Sequence, residues 1–227
     1  MLKVLKFAVL GSMIIFMAAC NSSKDQVELE WKVFESCMDH NDRTSAIGSL
    51  NRIIAIEKYN ADALDTLSLM YLDAGMYNAA LKLATRASNV RESEAITKVL
   101  AKSNKNLGKF DQAIIQFNKL LEKNPSNLEL LYESAFCNIN LGKANEAVPF
   151  IERIVEHPNS GSAVMTEFYQ NTNQLVPYKA VALNMLGFLQ AKAGQNEDAV
   201  KSYQAALGIY PEYYLAQNNL NILVSKK

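Results

Sequence analysis

An all-α chain of about five stacked helix pairs is predicted by three features of the 227-residue sequence. Gly75, Gly108, Gly142 and Gly194 each stand five positions before an alanine, Ala80, Ala113, Ala147 and Ala199. The glycine spacings are 33, 34 and 52, the last being one 34-residue period plus an 18-residue insertion. Seven positions before each glycine stands a small residue, Ser68, Ala101, Ala135 or Gly187. Apolar residues recur at three and four positions on both sides of each glycine, as helices that bury one face require. Each period therefore reads as two helices that cross at the small residues. They join at the glycine, which enters the left-handed region without steric penalty.

The chain starts differently. Met1-Leu2-Lys3-Val4-Leu5-Lys6 carries two positive charges and no acid, and the thirteen residues from Phe7 to Ala19 carry no charge, the layout of a secretory signal. Thirteen residues of helix rise only about 20 Å, short of the ~30 Å hydrocarbon layer. The run ends Met17-Ala18-Ala19-Cys20 and turns at once into Asn21-Ser22-Ser23. This resembles the bacterial lipoprotein signal, in which small residues precede a cysteine that is lipidated and becomes the mature N-terminus. Met17 stands where that family usually has leucine. The resemblance implies a signal peptide over 1–19, a lipid on Cys20 and a membrane anchor, since two or more acyl chains hold a protein almost permanently. Asn21 is not the aspartate that retains lipoproteins at the inner membrane of enteric bacteria, so the outer membrane, facing the periplasm, is the expected location. Residues 20–26 read as a polar linker.

The array is expected over 27–227, with repeats at about 27–60, 61–93, 94–127, 128–160 and 180–213. From each glycine the segments read "GMYNAALKLATRA", "GKFDQAIIQFNKL", "GKANEAVPFIERI" and "GQNEDAVKSYQAA". Nine positions after the glycine come Phe117, Ile151 and Tyr203, large side chains for the wedge between helices, with only Ala84 in the first of these copies. Pro125, Pro158 and Pro211 fall where the second helix should stop. The repeat resembles the tetratricopeptide repeat, whose antiparallel helix pairs stack into a right-handed α-solenoid. The first copy is degenerate: Asn41 replaces the glycine and Phe34 the small residue. Terminal repeats are often atypical, because one face has no neighbour. Residues 161–178 are the insertion, read as a loop with a short helix, and 214–227 as a capping helix.

Composition bears on function. Without Lys3 and Lys6 the chain keeps 21 of its 23 basic residues against 23 acidic ones, which argues against a general nucleic-acid binder. After Cys20 come Cys37 and Cys137, about three repeats apart and expected as unpaired, largely buried thiols. "CMDHND" offers Cys37, Asp39 and His40, but no second cluster completes a metal site, and no serine or cysteine stands beside His40 or His157 in a recognisable nucleophile motif. No catalytic residue, metal or cofactor is expected.

In the family that the repeats resemble, positions 2, 5, 9 and 12 of the first helix face a concave groove that binds proteins or peptides. Here they include Asp65, Leu69 and Leu72; Lys98, Lys102 and Lys105; Tyr132, Phe136 and Ile139; and Asn184, Phe188 and Ala191. An aromatic floor beside a line of lysines suits a peptide or helix carrying apolar and acidic residues. The set lacks the paired lysine, asparagine and arginine of the carboxylate-clamp adaptors. Two functions are compatible: a tethered scaffold or assembly factor of the cell envelope, or an accessory subunit that recruits an envelope hydrolase or secretion component. Neither sets an oligomeric state.

Overall fold

The structure, a computed structural model, describes residues 22–170 and 172–225. The signal segment and Cys20 lie outside the described residues. Among the described residues are eleven helices and one two-stranded hairpin. The described residues divide into two compact units, with the boundary between Ser103 and Asn104. The first holds α1 (22–39), α2 (Arg43–Ile56), α3 (Ala61–Asp73), α4 (Tyr77–Ser88) and most of α5 (Glu94–Asn106). The second holds the end of α5, then α6 (Phe110–Lys123), α7 (Leu128–Asn140), α8 (Ala144–Glu156), β1 (Val164–Tyr169), β2 (Thr172–Pro177), α9 (Tyr178–Lys192), α10 (Asn196–Ile209) and α11 (Tyr214–Ser225).

Short polar side chains start α2, α3, α5 and α7. Asp42, Asn60, Ser93 and Asn127 each accept a hydrogen bond from the main-chain N–H three residues on, at 3.0 to 3.1 Å. One motif joins each pair. Gly75, Gly108, Gly142 and Gly194 have φ of 71°, 73°, 72° and 78°, and Asn41 takes the same turn at 57°. Each turn closes with two main-chain hydrogen bonds, as in Met76 N–H to Tyr71 C=O at 2.8 Å and Gly75 N–H to Leu72 C=O at 3.0 Å. Asp42 N–H to Cys37 C=O at 2.8 Å and Asn41 N–H to Met38 C=O at 3.0 Å repeat it in the degenerate copy. Asparagine serves there because it enters the left-handed region with a smaller penalty than other side chains.

The small residues sit in the crossings. Ser68, Ala101 and Ala135 are fully buried. In the first unit, Val27, Ala46, Leu50, Ile53, Ala63, Leu67 and Met70 form one core, with Trp31, Phe34 and Cys37 packed against it. Phe34, too large for a tight crossing, instead stacks edge-on against Trp31 with ring centroids 5.5 Å apart. A second cluster holds Leu64, Ala80, Ala84, Ala87, Ile96 and Val99. In the second unit Phe117, Ile151 and Tyr203 are the buried wedges.

Two segments differ from the sequence reading. Helix α1 already includes residue 22, the first described, inside the segment expected as a linker. Val27 is buried and Glu28 bridges to Lys32 at 2.8 Å, one helical turn on, so amphipathic spacing extends the helix backwards. The insertion is a β-hairpin rather than a loop with a short helix. Its register pairs Val164 with Pro177 and Tyr169 with Thr172. Met165, Glu167 and Tyr169 are half-buried while Val164, Thr166 and Phe168 are exposed, a period of two that a helix cannot satisfy.

Candidate partner-binding face

In the second unit the first helices α7 and α9 touch, as do α9 and α11, so their side chains form a continuous face. Aromatic rings run along it. Phe136 lies 6.2 Å from Phe110 and 6.1 Å from Tyr132, and Tyr132 lies 6.5 Å from Tyr178, centroid to centroid. Tyr132 and Phe136, both expected on this face, are therefore joined there by Phe110 and Tyr178.

The lysine line divides. Lys98 is exposed and Lys102 half-buried on the part of α5 in the first unit. Lys105, in the second, donates to Glu133 Oε1 at 2.8 Å, and its Nζ stands 5.7 Å from the centroid of Phe136. The Glu133 side chain is 8% exposed, so the charge of Lys105 is directed at a buried carboxylate. Asp65 is likewise engaged, accepting from Arg91 at 2.8 Å, while Leu69 and Leu72 are half-buried.

Asn184, expected as a partner-binding amide, is 4% exposed and its Oδ1 accepts from Asn219 Nδ2 of α11 at 2.9 Å. It ties the capping helix to α9. Phe188 lines a cavity of about 410 Å³ with Ala191, Lys192, Tyr203, Asn219, Ile222 and Leu223. Lys192 Nζ lies 4.9 Å from the Phe188 centroid, a cation over an aromatic face. The sequence supplies Phe188 by repeat position, but Ile222 and Leu223 reach it only through the packing of α11.

The hairpin covers part of this face. Tyr132 Oη donates to Glu167 Oε1 at 3.5 Å. Gln174 Nε2 donates to the Glu212 carbonyl at 2.6 Å, and Tyr214 N–H donates to Gln174 Oε1 at 3.1 Å. Burial raises the Glu167 carboxyl above its ordinary range, against the lowering effect of the Tyr132 hydrogen bond. Burial also raises Tyr132 and Tyr213, with the Glu167 charge second in both. A raised carboxyl means that the docked hairpin prefers neutral Glu167. Its contribution to docking is complete below the ordinary glutamate pKa of about 4.3 and is lost as pH rises through the raised value. Hydrogen exchange at Met165 and Val176 should therefore report looser docking with rising pH, and Glu167→Gln should flatten that dependence. An unchanged profile in the variant would place the titration elsewhere.

The other motifs resolve locally. His40 Nδ1 donates to the Ser36 carbonyl at 2.7 Å, and Asp42 caps α2. Cys37 is partly buried and Cys137 buried, both free thiols; burial first, and the Glu133 charge second, push Cys137 up to about 12.

Residues 100–127 and residues 180–213 each match the tetratricopeptide repeat family. A peroxisomal targeting signal receptor of Candida albicans is 22% identical over 209 residues, 92% of this chain and 34% of that protein. The chain thus spans about a third of the length of the curated relative it matches. The solved structure of YrrB, described as a TPR protein with an unusual peptide-binding site, is 18% identical with a TM-score of 0.71, covering 89% of this chain and 96% of that one. A structure of MamA is 16% identical with a TM-score of 0.63, covering 79% and 95%. MamA from Desulfovibrio magneticus RS-1 is 10% identical with a TM-score of 0.65, covering 84% and 98%. Such identities carry the fold alone. The fold is a tetratricopeptide array of about five helix pairs with a C-terminal capping helix.

Proposed function

We propose that this protein is a membrane-tethered scaffold or assembly factor of the bacterial cell envelope. A lipid on Cys20 anchors it at the outer membrane, facing the periplasm, and a protein or peptide partner lies along the face of its first helices. The observation that carries the reading is the aromatic run from Phe110 to Tyr178, with a second opening on the same helix α9 at Phe188. Rigid aromatic side chains in a cleft are the anchors that dominate binding energy in protein interfaces. The partner's segment should carry apolar side chains and an acidic group, because Lys192 is held over Phe188 by the ring. No chemistry of its own is required of such a scaffold.

Two measurements test the two halves. Cys20→Ser should release the protein from the membrane fraction or leave its precursor uncleaved. Unchanged membrane association without lipid labelling would end the tether. Cross-linking in intact cells should capture a defined partner, and Phe136→Ala or Phe188→Ala should weaken that capture by about tenfold or more, the loss expected of an anchor. Undiminished capture by both variants would move the binding surface off this face.

A further inference from the structure

The outward side of the hairpin is apolar and uncovered. Phe168 is 69% exposed, Leu175 63% and Val164 48%. Thr166, Asn173 and Pro177 complete that side, so it carries no charge. Tyr169 pairs with Thr172 across a two-residue connection, and bonded pairs alternate along an antiparallel ladder. Tyr169, Glu167 and Met165 then exchange main-chain hydrogen bonds with β2, while Val164, Thr166 and Phe168 turn their N–H and C=O groups to the far edge. Among the described residues no hydrogen bond from outside the hairpin reaches Thr166 or Phe168. The same residues thus present both a free edge and an apolar surface. Strand β1 is on the α7 side, since Glu167 meets Tyr132 there, while Gln174 of β2 is tied to the turn between α10 and α11.

We propose that the free edge of β1 takes an extended segment of the partner as a third strand, laid over the α7 side of the aromatic face. The occupant is a strand rather than a second copy docking face to face. Three partly exposed side chains offer on the order of 300 Å², against about 800 Å² per partner in a stable pair of folded surfaces. A strand adds main-chain hydrogen bonds along the edge, which supply affinity that this small surface lacks. Its residues alternate. Those on the outward side are apolar and uncharged, to pack on Val164 and Phe168, and those on the inward side meet Tyr132 and Phe136. This inference rests on the proposed binding face and specifies how that face is used.

Hydrogen exchange on the full chain tests it, with acetyl-(Val-Thr)4-amide as the probe. In the free protein the Thr166 and Phe168 amides should exchange near the rate of an unstructured peptide, while Met165 and Glu167 are protected. Saturating probe should slow Thr166 and Phe168 by about tenfold or more, and a probe N-methylated at every residue should not. Thr166→Pro removes an edge donor without touching the β1–β2 ladder, and should abolish the protection at Phe168. Protection of Thr166 and Phe168 before probe is added, or none after, overturns the proposal. The cross-linked partner separates it from the broader reading. Capture lost in Phe136→Ala yet full in Thr166→Pro ends strand addition and keeps the face.

Discussion

Gly187→Val should destabilise the second unit by about 3 kcal/mol, the upper end for overpacking a closed core. A Cβ at Gly187 would lie 2.7 Å from Tyr203 Cε1 and 2.8 Å from Cδ1, distances that real side chains do not sustain. The ring cannot step aside, because Tyr203 is 2% exposed and is the wedge between α9 and α10. Two effects oppose each other in Gly187→Ala: helix propensity gains about 1 kcal/mol, while the clash loses more. It should therefore be milder than valine but still destabilising. Gly108 provides the contrast, since a Cβ there meets nothing within 4 Å and only its φ of 73° resists substitution. Gly108→Val should lose about 1 to 3 kcal/mol through the backbone alone. A Tyr203→Leu change should partly rescue Gly187→Val and leave Gly108→Val unaffected, because only the first pair is in contact. Urea unfolding of the parent, the single variants and the two double variants reads this directly, and a Gly187→Val protein as stable as the parent would overturn the packing account.

These features were legible because they are short-range and repeated. The glycine turns need only one residue type at a fixed place, and Asn41 announces the same turn by its tolerance of positive φ. The hairpin was not legible: in "VMTEFY" and "TNQLVP" apolar and polar residues fall in runs rather than alternating, and the period of two appears only in the burial of the folded strands. The polar middle and apolar flanks of the segment read instead as a loop with a short helix. The candidate face could be read only in outline. Repeat position brings Tyr132, Phe136 and Phe188 to the first helices, but does not say what else arrives there. Glu167 reaches Tyr132 from 35 residues away, Asn219 reaches Asn184 across another 35, and Glu133 reaches Lys105 across 28. Partners at such separations depend on how one helix pair stacks on the next, which no local pattern records.

Lys105→Ala should lose about 3 kcal/mol of stability, which assigns this lysine to the fold rather than to a partner. The partner acid, Glu133, has a side chain 8% exposed, and among the described residues its Oε2 has no hydrogen bond. Lys105 is thus the group that compensates a carboxylate held out of water. Removing one member of a buried pair leaves the other charge uncompensated, typically a loss of 3 to 5 kcal/mol. The lower end applies here because the Lys105 side chain keeps 21% of its exposure. Replacing both at once should be gentler. Lys105→Met with Glu133→Leu, which fills the site with apolar volume, should lose less than Lys105→Ala alone. That sign of coupling distinguishes a buried pair from two independent surface residues. Lys98 and Lys102 behave differently, because one is exposed and the other half-buried on the same helix. Changing both to glutamate should leave the unfolding midpoint within about 1 kcal/mol of the parent in equivalent stability, so any weakening of partner capture can be read as lost charge. Raising salt should weaken the native complex in the same sense, since exposed charges are screened over about 10 Å at 0.1 M. If Lys105→Ala instead unfolds with the parent's midpoint, the lysine is not held by Glu133 and its charge is available to an acidic ligand.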